Sequence, residues 1–226
     1  MPTRVVVPTR VFALLCCCIA VATAAIAQDA PPMDCDSLAA SADDPQRKAP
    51  GVPIDRIVPK KAIAACFKAK TLFPEVARFR FQLGRAYEAS KEPDIAARWY
   101  GEAAERGHAP AQTSLGRLYE AGDGVAQDDG EAARWFRKAA EQGDPVAQTR
   151  LGNMHASGRG VDEDTAAALT WFRRAADQGY APAQYTLAVA LEDGEGIEKD
   201  EEQALALYRK AAAQGYAPAK ERLEAK

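Results

Sequence analysis

Residues Ala111–Gly143 read AQTSLGRLYEAGDGVAQDDGEAARWFRKAAEQG, a pattern that recurs along the 226-residue chain. Apolar residues recur at spacings of three and four on both sides of the turn Gly122–Gly124, which predicts two amphipathic helices. Glycine suits this turn because it adopts the left-handed conformation without strain. The second helix is predicted to begin at Asp128, which has the spacing of a capping box with Glu131. The stretch therefore predicts a helix pair, whose members we call helix A and helix B.

The helix pair repeats with a period of 36 residues, the interval between Trp99, Trp135 and Trp171. Further columns at the same interval are Gly107, Gly143, Gly179 and Gly215; Ala111, Ala147, Ala183 and Ala219; and Leu115, Leu151, Leu187 and Leu223. A regular period of this length is typical of solenoids, in which each unit buries its apolar face against its neighbours. Abundant alanine and only 8% aromatic residues also favour closely packed helices over sheets. The sequence therefore predicts an all-α fold with Trp135 in its core.

The repeated pattern resembles a known family. At Ala111–Val125 it reads Ala-x-x-x-Leu-Gly-x-x-Tyr-x-x-Gly-x-Gly-Val, and at Trp135–Gly143 it reads Trp-Phe-x-x-Ala-Ala-x-x-Gly. These motifs are similar to the Sel1-like repeat, a relative of the tetratricopeptide repeat, and the resemblance covers about residues 79–223. It implies a right-handed superhelical α/α solenoid of antiparallel helix pairs over residues 74–226.

The two ends of the array depart from the pattern. Tyr87 and Tyr100 are 13 residues apart, whereas Tyr119 and Phe136 are 17 apart, because the first unit lacks four residues of the Gly-rich loop. That unit therefore looks tetratricopeptide-like. The last unit stops after half a repeat, at Lys226, and we expect it to act as a polar capping helix. Three loop residues are expected to pack each against its own helix pair: Val125, Val161 and Ile197.

Residues 1–27 have the features of a signal peptide. Arg4 and Arg10 precede or border the uncharged apolar run Val11–Ala24, and small residues allow cleavage after Ala27. A membrane anchor is the alternative, but a run of 14 residues is shorter than the roughly 20 that span a bilayer. We therefore expect a periplasmic or secreted protein with no stable membrane insertion after cleavage.

Segment 28–73 is rich in proline and contains the two remaining cysteines, Cys35 and Cys66. In an oxidising compartment such a pair is more often a disulfide than a metal site or a nucleophile; two separate buried thiols are the alternative. A bond between them would close a loop of about 30 residues, which the chain-entropy argument values at about 3–4 kcal/mol. The segment is predicted to be a disulfide-linked cap over the exposed end of the first repeat.

Charge and motif content bear on the function. The net charge is −3, and −5 without Arg4 and Arg10, which argues against nucleic-acid partners. The motifs Ser-x-x-Lys, Gly-x-Ser-x-Gly and His-Glu-x-x-His are missing, as is a phosphate-binding loop. Of the two histidines, His155 replaces a packing tyrosine and His108 falls in a turn with no implied role. We therefore expect no enzyme, and no catalytic residue, metal or cofactor.

The sequence leaves two functions open. The favoured one is a non-catalytic scaffold or adaptor in the periplasm or cell envelope, because the resemblance to Sel1-like proteins implies a protein partner in signalling or envelope assembly. Such a partner would place a peptide or helix along the concave helix A surface. The alternative is an envelope hydrolase or a factor that interacts with peptidoglycan or β-lactams.

The partner surface is predicted from the helix A positions two before, two after and five after the packed leucine. The residue types at these positions differ from unit to unit, whereas those in the packing columns repeat, as expected of a surface shaped to one partner. The alternative is that these positions are ordinary solvated helix faces. The predicted positions are Phe81, Arg85 and Glu88; Thr113, Arg117 and Glu120; Thr149 and Asn153; and Tyr185, Val189 and Glu192.

Overall fold

The computed structural model describes residues 30–225, so the predicted signal peptide lies outside the described part. These residues form helices and connecting loops, with no strand between residues 30 and 225. A short 3-10 turn lies at Ile54–Arg56. In chain order the helices are α1 (Asp34–Ala39), α2 (Pro59–Leu72), α3 (Ala77–Ala89), α4 (Pro93–Glu105), α5 (Ala109–Ala121), α6 (Asp129–Glu141), α7 (Pro145–Ser157), α8 (Thr165–Asp177), α9 (Ala181–Asp193), α10 (Glu201–Ala213) and α11 (Ala217–Glu224).

Helices α3 to α10 form four consecutive A/B pairs, and α11 adds a final A helix, so the predicted all-α solenoid is confirmed. The predicted turn glycine Gly122 ends α5 at a φ of 70°. The carboxylates of Asp128 and Asp200 begin the B helices α6 and α10, because each accepts a hydrogen bond from a backbone N–H three residues later, at 2.9 and 2.8 Å. Local sequence chemistry therefore sets the boundaries of the helices.

The core of the first three pairs is built from an aromatic ring of helix B lying on a glycine of helix A, and the fourth pair has Ala188 at this position. A Cβ added at Gly116 would come within 2.7 Å of the Phe136 ring, and one at Gly152 within 2.6 Å of the Phe172 ring. The absence of a side chain thus lets the two helices approach closely. Trp135 is only 6% exposed and packs with the residues of the preceding pair, as the sequence predicts for a core residue.

The Gly-rich loops reach further than the sequence predicts. A Cβ at Gly124 would lie 2.3 Å from the carbonyl carbon of Pro93, and one at Gly160 would lie 2.1 Å from the carbonyl oxygen of Asp129. Both contacts are with the start of the B helix in the preceding pair. Val125 and Val161 pack against residues of their own pair and of the preceding pair, so each loop also closes onto the pair before it.

A ladder of glutamine amides joins successive repeats. Gln142 donates a hydrogen bond to the side-chain oxygen of Gln112 at 2.7 Å, and Gln112 donates to the carbonyl of Ala104 at 3.0 Å. Each such set of hydrogen bonds, a rung of the ladder, connects the B helix of one unit to both helices of the next. Equivalent rungs run through Gln178, Gln148 and Ala140, and through Gln214, Gln184 and Ala176. The buried amides are satisfied in this way, which removes the penalty of burying them.

The N-terminal segment packs as part of the array. The disulfide predicted between Cys35 and Cys66 is present and joins α1 to α2, with a Cα–Cα distance of 4.6 Å. Both cysteines share one apolar cluster with Phe79 and Leu83 of α3. None of the helices within residues 30–225 is long and apolar enough to cross a bilayer.

Candidate binding groove along the A helices

The helix A groove is the surface formed by the sides of α3, α5, α7 and α9 that face away from the B helices. The N-terminal segment fills its first part. Arg78 of α3 donates a hydrogen bond from Nε to Asp36 Oδ1 at 3.1 Å, and both side chains are fully buried. Gln82, one turn further on, donates to the same Asp36 oxygen at 2.9 Å. A buried ion pair of this kind needs such extra hydrogen bonds to offset the loss of solvent.

Arg85 holds the segment one further turn along α3. It donates from Nη1 to the carbonyl of Ala39 at 3.0 Å and from Nη2 to the carbonyl of Val52 at 2.5 Å. These two carbonyls lie where the segment turns back on itself, because the Val52 N–H donates to the Ala40 carbonyl at 2.8 Å. Burial lowers the pKa of Arg85, and nearby carboxylates oppose that effect. The arginine thus holds the segment through both of its terminal nitrogens.

His108 fixes the far end of the segment. Its Nδ1 accepts a hydrogen bond from the backbone N–H of Ala111 at 3.3 Å, which caps α5. Its Nε2 lies 3.3 Å from Asp44 Oδ1, and its ring lies 4.8 Å from the Phe81 ring. The sequence alone implies no role for His108. The segment therefore extends from the first repeat to the beginning of the second.

This arrangement overturns part of the predicted partner surface. Phe81 and Arg85 were expected to be exposed, but they are 3% and 6% exposed because the N-terminal segment covers them. Glu88 lies at the edge of the covered region and accepts a hydrogen bond from the Tyr100 hydroxyl at 2.5 Å. Burial raises the pKa of Tyr100 well above its ordinary value, with the Glu88 carboxylate adding to the effect.

Two other predicted residues, Glu120 and Glu192, form contacts between repeats. Glu120 accepts hydrogen bonds from Arg150 at 2.6 Å and Arg159 at 2.7 Å. Glu192 accepts from Arg222 at 2.7 Å, in the same register two repeats later. The carboxylates at this column therefore serve the array itself, which a rule based on exposure alone does not reveal.

The remaining predicted positions lie beyond the segment. Thr149 donates its hydroxyl to the Pro145 carbonyl at 2.8 Å. Arg117 and Asn153 are exposed on the groove side. The other predicted positions here are Thr113, which is buried, and Tyr185 and Val189, which are half-buried. The open part of the groove thus runs from Arg117 to α9.

A cavity of about 180 Å³ lies where the segment ends and the open groove begins. Its walls include Asp43 of the segment, Thr113 and Arg117 of α5, and Asp144 at the start of α7. The Asp144 carboxylate caps α7 by accepting from the Ala147 N–H at 2.8 Å, and burial raises its pKa. The cavity combines an exposed cation with carboxylates and hydroxyls, which suits a polar main chain better than an apolar ligand.

The family model described as "Sel1 repeat" matches residues 78–108, 109–144, 145–180 and 181–216, more than half of the chain. The chain belongs to the Sel1 repeat family. A comparison with curated proteins found no match.

Two solved structures show the same Sel1 architecture. A protective antigen from uropathogenic Escherichia coli is 30% identical over 73% of this chain, with a TM-score of 0.65. A Sel1 repeat protein from Oxalobacter formigenes is 33% identical over 71% of this chain, also with a TM-score of 0.65. This chain spans only 36% and 66% of those two proteins. An immunity protein from Pseudomonas aeruginosa, 22% identical over 84% of this chain and 70% of its own, with a TM-score of 0.51, shares the fold alone.

The Sel1 array brings together few groups that could perform catalysis. Cys35 and Cys66 are bound to each other, and the His108 ring is buried as a helix cap. His155 makes one contact through Nδ1, at 3.3 Å from the Asp162 carbonyl. Within residues 30–225 no group of three or more His, Cys, Asp or Glu side chains is placed to hold a metal ion.

Proposed function

We propose that this Sel1 repeat protein is a non-catalytic protein–protein interaction scaffold in the periplasm or cell envelope. A partner would lie along the helix A groove beyond the N-terminal segment and so be brought to a signalling or envelope-assembly complex. The observation that carries the proposal is that the groove already binds a segment of this chain, made of the short helix α1 and irregular stretches, through Arg78, Arg85 and His108. The same face is thus built to hold a polypeptide.

Two further observations support the proposal. Sel1 repeats generally mediate protein–protein interactions, and four of them make up most of this chain. The Cys35–Cys66 disulfide fits an oxidising compartment, since such bonds are rare in the cytosol.

The hydrolase alternative has no comparable support in residues 30–225. Two of the three carboxylates that line the cavity already have structural partners, since Asp144 caps α7 and Glu88 accepts from Tyr100, and the third, Asp43, is exposed to solvent. A hydrolase would need a positioned nucleophile or base in a pocket that excludes water. The described part of the chain therefore favours binding over hydrolysis.

The partner residues proposed are those in the open part of the groove. They are the exposed Arg117 and Asn153, the half-buried Tyr185 and Val189, and Thr113 and Thr149, whose side chains are largely buried. Glu88, Glu120 and Glu192 lie at its edge and act through the contacts they make within the array.

Site-specific photocrosslinking tests the proposal. A photoreactive phenylalanine analogue at Asn153, in the groove, is compared with one at Arg137, an exposed residue of the B helix α6. Crosslinking in the native cell envelope is expected to give a discrete adduct from position 153 that position 137 does not give. If the two positions yield the same products, or none, the groove does not bind a partner under these conditions and the proposal is wrong.

A further inference from the structure

The two arginines that hold the N-terminal segment donate mainly to one kind of main-chain carbonyl. Arg78 donates from Nη2 to the first two carbonyls of Ala30–Pro32, at 3.0 and 3.1 Å. Arg85 donates to the first carbonyl of Val52–Pro53 and to that of Ala39. Three of these four carbonyls belong to residues that immediately precede a proline. Such residues are held extended by the proline ring, so their carbonyls are not used in a helix.

Arg117 repeats the position of Arg85 in the next unit. Each lies two residues after the packed leucine of its helix, Leu83 or Leu115. Arg85 already donates to two carbonyls of the segment, whereas Arg117 is exposed and has no hydrogen-bond acceptor among residues 30–225. Arg117 also lines the cavity whose opposite wall is Asp43 of the segment. The open site is therefore continuous with an interface that already exists.

Thr113 provides a second polar group without a partner in the same cavity. Its side chain is 7% exposed, and its hydroxyl has no hydrogen-bond partner among the described residues. Burial raises the pKa of Asp144, and the Thr113 hydroxyl is close enough to oppose that effect, but it does not meet the geometry of a hydrogen bond to the carboxylate. The equivalent Thr149, one repeat on, is equally buried but donates to the Pro145 carbonyl at 2.8 Å. A buried hydroxyl without a partner destabilises the protein, and a ligand main chain in the cavity would relieve that cost.

Tyrosines continue the groove beyond this cavity. Tyr180 and Tyr216 occupy the column of Asp144, and Tyr185 occupies the column of Thr113. The Tyr185 and Tyr216 rings lie 5.5 Å apart, and all three tyrosines are partly exposed. Aromatic strips of this kind bind proline-containing segments, whose polyproline II form is already ordered and leaves its carbonyls free.

We propose that the groove from Arg117 to Tyr185 binds an extended, proline-containing peptide segment of the partner, and this rests on the scaffold function proposed above. Arg117 donates to the carbonyl of a residue that precedes a proline, as Arg78 and Arg85 do within the chain. Thr113 pairs with the adjacent main chain, and the tyrosines contact the proline rings. A helical partner is disfavoured because carbonyls inside a helix are already paired with the helix's own N–H groups.

Peptide selection on the oxidised full chain tests this proposal. A phage-displayed library of random dodecapeptides is the probe, and proline-containing sequences are expected to be enriched. Binding of the best labelled peptide is then measured by fluorescence anisotropy. Arg117→Ala is expected to weaken it by about tenfold or more, as the loss of a charge-assisted hydrogen bond predicts. Replacing the peptide's proline with alanine should weaken binding as well.

Two variants separate binding from folding. Thr113→Val keeps the shape of the side chain and should weaken peptide binding. It should not lower the melting temperature of the protein, because the hydroxyl that it removes has no partner. Arg137→Ala, on the opposite side of the array, should leave binding unchanged. A library that yields no binder, a dispensable proline, or equal effects of Arg117→Ala and Arg137→Ala would each overturn the proposal. If crosslinking from position 153 still captures a partner in those cases, the scaffold function stands and only the peptide class is wrong.

Discussion

His108 Nε2 lies 3.3 Å from Asp44 Oδ1, with both side chains inside the protein, and this contact joins the N-terminal segment to the second repeat. The two residues are 64 positions apart in the chain, and no repeat relates them. The same histidine caps α5 through its other ring nitrogen. One imidazole therefore stabilises both the start of a helix and the position of the segment.

Removing Asp44 should loosen the segment. Asp44→Ala removes the acceptor of the Gln46 N–H at 2.8 Å and the carboxylate that faces His108 Nε2, which is expected to lower the free energy of unfolding by about 1–3 kcal/mol. Urea unfolding measures the loss, and limited proteolysis should show earlier cleavage near Arg47. Asp43→Ala, at the exposed neighbouring position, is the matched control and should change stability little. Equal stabilities for the two variants would show that the contacts of the Asp44 carboxylate do not hold the segment.

Trp135 is expected to be the tryptophan on which stability depends most. Trp135→Ala removes a side chain that is 6% exposed and should cost about 3–5 kcal/mol through the cavity it leaves. Trp171→Ala, in the same column but half-buried, should cost less. Thermal unfolding followed by circular dichroism compares them. A melting temperature for Trp135→Ala within a degree or two of the unchanged protein would contradict its assignment to the core.

Gly160 should be far less tolerant of substitution than Gly179, although both have a positive φ, of 66° and 85°. Alanine in the left-handed conformation costs roughly 1–2 kcal/mol at either position. Only at Gly160 would the added Cβ also collide with the Asp129 carbonyl, whereas nothing lies within 4 Å of one at Gly179. Gly160→Ala is therefore expected to lose about 1–3 kcal/mol more than Gly179→Ala in urea unfolding. Similar losses of unfolding free energy in the two variants would mean that the close contact of the Gly160 loop with the preceding pair does not stabilise the array.

The disulfide should be required for the segment to stay in the groove. Non-reducing peptide mapping is expected to recover Cys35 and Cys66 in one linked fragment. Replacing both with alanine should lower the free energy of unfolding by about 2–5 kcal/mol and expose the first repeat to protease. Recovery of both residues as alkylated free thiols after export, or unchanged protease resistance on reduction, would rule out the disulfide-linked cap.

The repeat array could be predicted from the sequence because the residues that define each helix and turn lie close together in the chain and recur in successive units. The period of 36 residues, the glycine at Gly122 and the cap at Asp128 each have a direct physical meaning. The backward reach of the loops was not predictable in the same way. Sequence shows that Gly124 is needed, but whether it is needed for its own turn or for contact with Pro93 depends on the packing of two units.

The groove was predictable only where nothing non-repetitive covers it. The column rule placed Arg117 and Asn153 on the open surface, but it failed at Phe81 and Arg85 because the segment that covers them has no period. It also failed at Thr113 and Thr149, which are each only 7% exposed. One signal was available in the first unit. Arg78, Gln82 and Arg85 form a polar stripe on α3, and the acidic residues Asp36 and Asp44 lie in the preceding segment. A polar stripe facing a short acidic segment could have indicated their contact.

The glutamine ladder makes the length of this array adjustable in whole units. If residues 109–144 were deleted, Gln148 would meet the Ala104 carbonyl in place of that of Ala140, and each remaining rung would find a chemically identical partner. His108 and the N-terminal segment would be retained, but the cavity at Arg117 would be lost. Gain or loss of a unit during evolution could therefore change which ligand the groove binds while the hydrogen bonds between units are kept.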